Sequence, residues 1–290
     1  MSRLAGLCGA PLLLLALCLL APRAAHAAES YDNCTGFITS LPAVISAQGT
    51  WCMKQDLATA VTGGDAIAIT TNNVTLNCND FKLGGLAAGL GTFMVGVFAD
   101  GHSNVTVRHC NIRGFYKGVV LTGTGSGYIV EDNRFDNNTF ESIDVKGDDS
   151  LIRRNLVLDT GQTTNTNYAY GIHTDGAVDV LDNTIANVVA TSGGNGLAYG
   201  LYLASNAGGT ISGNGVRNLV PDGSGTAQGI WSPSSTRITI DNNRLVGSGS
   251  LGSTGILCNT PQDRAKDNVI NGFVTATINC GDAGGNDITP

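Results

Sequence analysis

The chain has 290 residues, with 16 Lys and Arg against 23 Asp and Glu, and a formal net charge of −7. So few cations provide no positive field for nucleic acid or for an anionic lipid surface. Apolar residues make up 42% of the chain, enough for a sizeable core, yet no segment after the N-terminal stretch approaches the ~20 apolar residues of a membrane span.

Residues 1–27 read as a secretory signal, with Arg3 as charged head, residues 11–20 as short apolar centre and Ala25-His26-Ala27 as small-residue cleavage site. The mature chain is then an exported, soluble protein, secreted or periplasmic. It keeps Cys34, Cys52, Cys78, Cys110, Cys258 and Cys280, an even set that implies disulfides in an oxidising compartment. No cysteine or histidine cluster has zinc spacing, so no structural metal is expected. Residues 28–65 precede the repeats. From residue 66 onward short segments such as 66–70, 74–78, 105–107, 210–212 and 237–240 read as strands, several rich in Val, Ile and Thr and bounded by Gly, Asn, Asp and Ser. Forty glycines suit a chain that turns sharply several times per repeat, and no convincing amphipathic helix is present.

A six-residue phrase recurs along this strand-rich region: apolar, polar, polar, Asn, any residue, apolar. It centres on Asn79, Asn133, Asn155, Asn183, Asn214, Asn243 and Asn268, with Cys110 standing in for the asparagine at VRHCNI. Successive steps of 31, 23, 22, 28, 31, 29 and 25 residues indicate a solenoid. Asparagine at a coil corner tolerates left-handed backbone, and its side chain can bond to the next coil as a ladder. A second register follows each phrase, a small residue and then an apolar one: Gly96-Val97, Gly118-Val119, Ser142-Ile143, Gly171-Ile172, Gly200-Leu201, Gly229-Ile230 and Gly255-Ile256. Two in-phase registers imply one coil of about three short strands per repeat, stacked into parallel sheets around an apolar interior.

On these motifs the chain resembles the right-handed parallel β-helix repeat proteins, the superfamily that includes pectate lyases and polygalacturonases. The resemblance runs over about 66–271 and implies an all-β fold of about seven to eight coils. Residues 28–65 then form an N-terminal cap, and 66–290 the β-helix domain. Caps are needed because an open coil end exposes core and unpaired strand edges. Proximity along the solenoid favours pairing Cys34 with Cys52, Cys78 with Cys110, and Cys258 with Cys280, the last closing the C-terminal end. Gly147-Asp148-Asp149 is similar to the Gly-Asp-Asp element of polygalacturonases, but the family's other elements are missing or out of order, so that active site is not carried over.

Strand alternation sends the residue after the small position inward and the next one outward. The outward column reads Phe98, Val120, Asp144, His173, Tyr202, Trp231, Leu257; two residues further on, a second column includes Lys146 and Asp175. With coils ~4.8 Å apart, Asp144, Lys146, His173, Asp175, Tyr202 and Trp231 form one continuous groove for a polysaccharide. Tyr202 and Trp231 can stack on sugar faces. Asp144 and Asp175 are the carboxylate pair for hydrolysis. For β-elimination, His173 or Lys146 is the base and Tyr202 the acid, with Lys146 able to neutralise a uronate. Arg153, outward just before an asparagine corner, is a further substrate-binding candidate. No cofactor is required, although Asp144, Asp148, Asp149 and Asp175 offer oxygens that suit Ca²⁺. The chain is expected to be monomeric. The alternative is a non-catalytic surface or envelope scaffold or adhesion protein, whose outward columns are a solvated face.

Overall fold

The computed structural model of the protein describes residues 31, 33–191 and 193–289; the signal expected at 1–27 lies outside the described residues. Strand-forming segments wind into a parallel β-helix with sheets of 11, 10 and 11 strands. A representative coil places Ser150–Arg153 before the asparagine corner, Leu156–Gly161 after it and Tyr168–Asp175 in the third sheet. Among the described residues successive coils pair in parallel, except that Asp222–Gly223 lies antiparallel against the start of Asn195–Leu203. Gly36–Ile38, Ala43–Ile45, Gly49–Met53 and Leu57–Ala58, in the segment assigned to the cap, already pair into the three sheets. Among the described residues no helix is long and apolar enough to cross a membrane.

The interior is a set of aliphatic stacks. In the third sheet Ile67, Val97, Val119, Ile143, Ile172, Leu201, Ile230 and Ile256 are paired coil to coil and completely buried. Burying each such side chain contributes about 1.5–3 kcal/mol, and in-register stacking supplies close contacts above and below. The three disulfides join the expected partners, with Cα–Cα separations of 5.9, 4.7 and 5.1 Å.

Asparagine side chains lock the coils together. Asn155 Nδ2 donates to Val130 O at 2.8 Å and to Asn183 Oδ1 at 3.0 Å, while Asn183 Oδ1 also accepts the Asn155 backbone N–H at 2.9 Å. The same three bonds recur at Asn133, Asn183, Asn214, Asn243 and Asn268. Asn286, outside the recurring phrase, ends the run, and at the other end Asn133 accepts from the backbone N–H of Cys110. The corner conformation corrects the sequence reading. The left-handed residue is the one before the ladder asparagine: His109, Asp132, Arg154, Asp182, Asn242 and Asp267 have φ between 50° and 55°, and Gly213 has φ 70°. Only at Asn79 is the asparagine of the phrase itself left-handed. Turning the chain one residue early leaves the ladder asparagine's N–H pointing along the stack, where the next asparagine accepts it.

A buried amide with three partners is costly to remove, because the groups it leaves behind stay dry and unpaired. We expect Asn183→Ala to destabilise the protein by about 2–4 kcal/mol in urea unfolding. A loss below about 0.5 kcal/mol, the size of an ordinary surface change, would contradict a load-carrying ladder.

Candidate functional site

The third sheet carries the chemistry. Its outward column runs Phe98, Val120, Asp144, His173, Tyr202, Trp231, Leu257 in unbroken coil-to-coil register, and Lys146 pairs with Asp175. A third outward column, which strict alternation misses, lies on the other side: Lys117, Glu141, Tyr170, Tyr199 and Gln228 are also in register. Both positions face outward because each strand bulges at its small residue. Lys117 pairs with Glu141 and Val119 with Ile143, while Gly118 and Ser142 drop out of the ladder. At this bulge the backbone is pressed against the next coil; a Cβ on Gly200 would lie 2.5 Å from the carbonyl oxygen of Gly229. Ser142 is the exception, its hydroxyl 2.6 Å from that of Thr160. The signal was available in the sequence: the residue immediately before each small position from Gly118 to Gly229 is Lys117, Glu141, Tyr170, Tyr199 or Gln228.

These columns bring Glu141, Asp144, His173 and Lys117 into one cluster. Lys117 Nζ lies 2.7 Å from Glu141 Oε2 and 2.7 Å from Asp144 Oδ2. The opposite oxygens face the imidazole: His173 Nδ1 is 3.4 Å from Glu141 Oε1 and 3.5 Å from Asp144 Oδ1. Each carboxyl group therefore bridges the ammonium and the imidazole. Lys146 Nζ approaches Asp144 Oδ1 at 3.7 Å from the more exposed side. Glu141 and Asp144 are 2% and 1% exposed, and Asp144 Oδ1 makes no hydrogen bond. His173, Tyr202 and Trp231 are only partly buried and face outward, with His173 directly beside the two carboxyl groups.

Burial and proximity separate the two acids. Burial, followed by the charge of Glu141, raises the carboxyl of Asp144 above the usual aspartate range. Burial also acts against the Glu141 carboxylate, but the His173 hydrogen bond and the Lys117 charge outweigh it and hold Glu141 below its usual range. Burial alone would lower Lys117, yet Glu141 and Asp144 together raise it, so the ammonium is firmly charged. The cluster therefore sets a carboxyl whose ionisation is favoured, Glu141, beside one whose ionisation is opposed, Asp144, around a fixed cation.

Aromatic rings line the edge of this cluster. Phe140, Tyr170, Tyr199 and Trp231 follow one another at centroid distances of 5.5, 4.9 and 5.1 Å. Tyr202 sits edge-on to both His173, at 4.9 Å, and Trp231, at 5.0 Å. Burial, then the charge of Asp175, raises the Tyr202 hydroxyl, so it keeps its proton at neutral pH.

The remaining expected residues fall outside the cluster. Asp175, with Lys146, Gly147, Asp148 and Gly176, lines an adjoining cavity of about 370 Å³; the carboxyl partner of Asp144 is Glu141. Arg153 stands on the sheet before the asparagine corner and pairs with Glu131 at 2.7 Å. Asp148 accepts the backbone N–H of Ala177 and Asp149 has φ 56°, so both serve turns. A cation could be held by Glu141, Asp144 and His173, whose ligand atoms lie within 4.8 Å of one another. Two carboxyl groups and an imidazole fall short of the six to eight oxygens usual for Ca²⁺.

A family model described as a right-handed beta helix region matches residues 56–198 and 95–260. No curated protein matches the chain. Among solved structures, the Dettilon tailspike protein aligns with TM-score 0.52 and 16% identity, over 86% of this chain and 57% of the tailspike chain. The A-module of the mannuronan C-5 epimerase AlgE6 of Azotobacter vinelandii aligns with TM-score 0.47 and 14% identity, over 88% of this chain and 80% of that one. At these identities the tailspike likeness concerns the fold alone.

The opposed shifts of the two acids have opposite signs in stability. Glu141, depressed in the folded state, contributes stability above the ordinary value of 4.5 that is lost as pH falls through its folded pKa. Asp144, raised, favours folding below 3.8 and loses that contribution as pH rises through its folded pKa. We expect Glu141→Gln to cost about 3 kcal/mol at pH 7, because it breaks a buried charge pair, and less in acid. Asp144→Asn, at a carboxyl whose ionisation burial opposes, should cost less than Glu141→Gln at pH 7. Urea unfolding of both variants at pH 4 and 7 checks this; a larger loss from Asp144→Asn at pH 7 would reverse the assignment.

Proposed function

We propose that this chain, which belongs to the right-handed β-helix family, is an exported protein that binds an extended polysaccharide across its third sheet and cleaves it by β-elimination. The observation that carries this reading is the placement of His173 Nδ1 against the two buried acids. With Nδ1–H directed at Glu141, the other ring nitrogen, Nε2, holds the lone pair and serves as base. Hydrolysis by paired carboxyl groups is less well supported, because both acids nearest the site lie beneath the imidazole and cannot flank a glycosidic bond.

Elimination suits the groups that are accessible. His173 takes the proton next to a uronate carboxylate, whose charge Lys146 balances. The electron pair left on that carbon forms the double bond and expels the glycosidic oxygen on the adjacent carbon. Tyr202, still protonated, gives its proton to that oxygen. The aromatic edge at Tyr199, Tyr202 and Trp231 provides apolar surface for sugar faces. Three disulfides and the N-terminal signal suit an extracytoplasmic compartment.

The test is incubation with uronate-rich and neutral polysaccharides, following the ultraviolet absorbance of an unsaturated uronate end. We expect uronate-specific cleavage that His173→Ala lowers by about 10²–10⁴-fold with binding retained. Trp231→Ala should weaken binding by about 2–10-fold with turnover little changed. Saturated products would indicate hydrolysis instead, and binding without cleavage would leave a saccharide-binding rod.

A further inference from the structure

We infer that Lys117 is the cluster's own cation: its ammonium takes the place between Glu141 and Asp144 that a divalent metal would otherwise fill, and so makes the site independent of metal. The two acids present one oxygen each to Lys117 at 2.7 Å and one each to His173. Three potential metal ligands within 4.8 Å of one another, two of them buried carboxyl groups, form an arrangement that calls for positive charge. Asp144 Oδ1 adds a buried oxygen with no hydrogen bond, on the side of the carboxyl that faces His173 and Lys146.

Lys117 meets this demand from within the fold. It is the register partner of Glu141 one coil earlier, and the bulge that turns Glu141 outward turns Lys117 outward beside it. Its Nζ lies 5.4 Å from the centroid of the Phe140 ring, and its side chain is 21% exposed. A tethered ammonium cannot dissociate or be chelated. It also opposes a metal ion between the two acids, since the two positive charges would repel at that distance. Lys146, at 3.7 Å from Asp144 and more exposed, is thereby left for the substrate side.

Calorimetry and thermal unfolding with Mn²⁺ and with Ca²⁺ test the assignment on the mature protein. Wild type should bind neither ion at the cluster. Lys117→Met, which keeps the apolar stem, should gain affinity for Mn²⁺ by at least about 100-fold, because the competing charge is gone. Its melting temperature should rise with Mn²⁺ while that of wild type does not. If Lys117→Met fails to fold alone, Mn²⁺ should restore its fold. Lys117→Met/Asp144→Asn, with one carboxylate, should fold without metal and show no comparable gain. Equal Mn²⁺ affinity in wild type and Lys117→Met would overturn the inference. So would a folded Lys117→Met with no gain, an unfolded one that saturating Mn²⁺ leaves unfolded, or an equal gain in the double variant.

Discussion

Everything that matters in this molecule depends on coil-to-coil register, and the asparagine ladder is the polar interaction that enforces it. A parallel strand slipped by one residue would exchange its inward and outward faces. Each ladder asparagine is bonded at once to a carbonyl of the previous coil and to the amide of the next, so a slip would strand several buried polar groups. Aliphatic stacking alone is less selective, because Val, Ile and Leu can pack in more than one offset. The ladder turns a generic apolar interior into one defined stack.

With register held, the outward columns become a construction device. Residues 24 to 32 positions apart in sequence meet within hydrogen-bonding distance, as Lys117, Glu141, Asp144 and His173 do. No single coil contains the site. The first contributes an ammonium, the second two acids and the third an imidazole, while the two coils after them bring Tyr199, Tyr202 and Trp231. Charge is then settled locally. Burial disfavours both ionised acids, but the imidazole and the ammonium outweigh it at Glu141, while at Asp144 burial and the charge of Glu141 prevail and raise the carboxyl.

Much of this was legible in the chain before folding. The asparagine phrase gave away the coil, and the small-residue register predicted the column from Phe98 to Leu257 residue by residue. Disulfide partners followed from proximity along the solenoid. Glu141, Lys117, Tyr170 and Tyr199 were not found, because strict alternation assigns one outward residue to a stretch where a bulge provides two. Depth was also invisible. Alternation places Asp144 outward, yet Lys117 and His173 cover it, so it is nearly as dry as the core. Asp175 and Arg153 were chosen by the same column logic, and the structure gives them other company: Asp175 an adjoining cavity, Arg153 an ion pair with Glu131 on another sheet.

The most direct single measurement is the tautomer of His173, read from the nitrogen-15 chemical shifts of its ring in the mature protein at neutral pH. The two acids beside the imidazole place a proton on Nδ1, directed at Glu141, and a base at this position leaves Nε2 with its lone pair, so that pattern is expected. It should disappear in Glu141→Leu/Asp144→Leu, where no acceptor is left to fix the tautomer. A proton on Nε2 in the wild-type protein would contradict the central claim, since the outward nitrogen would then have no lone pair with which to act as a base.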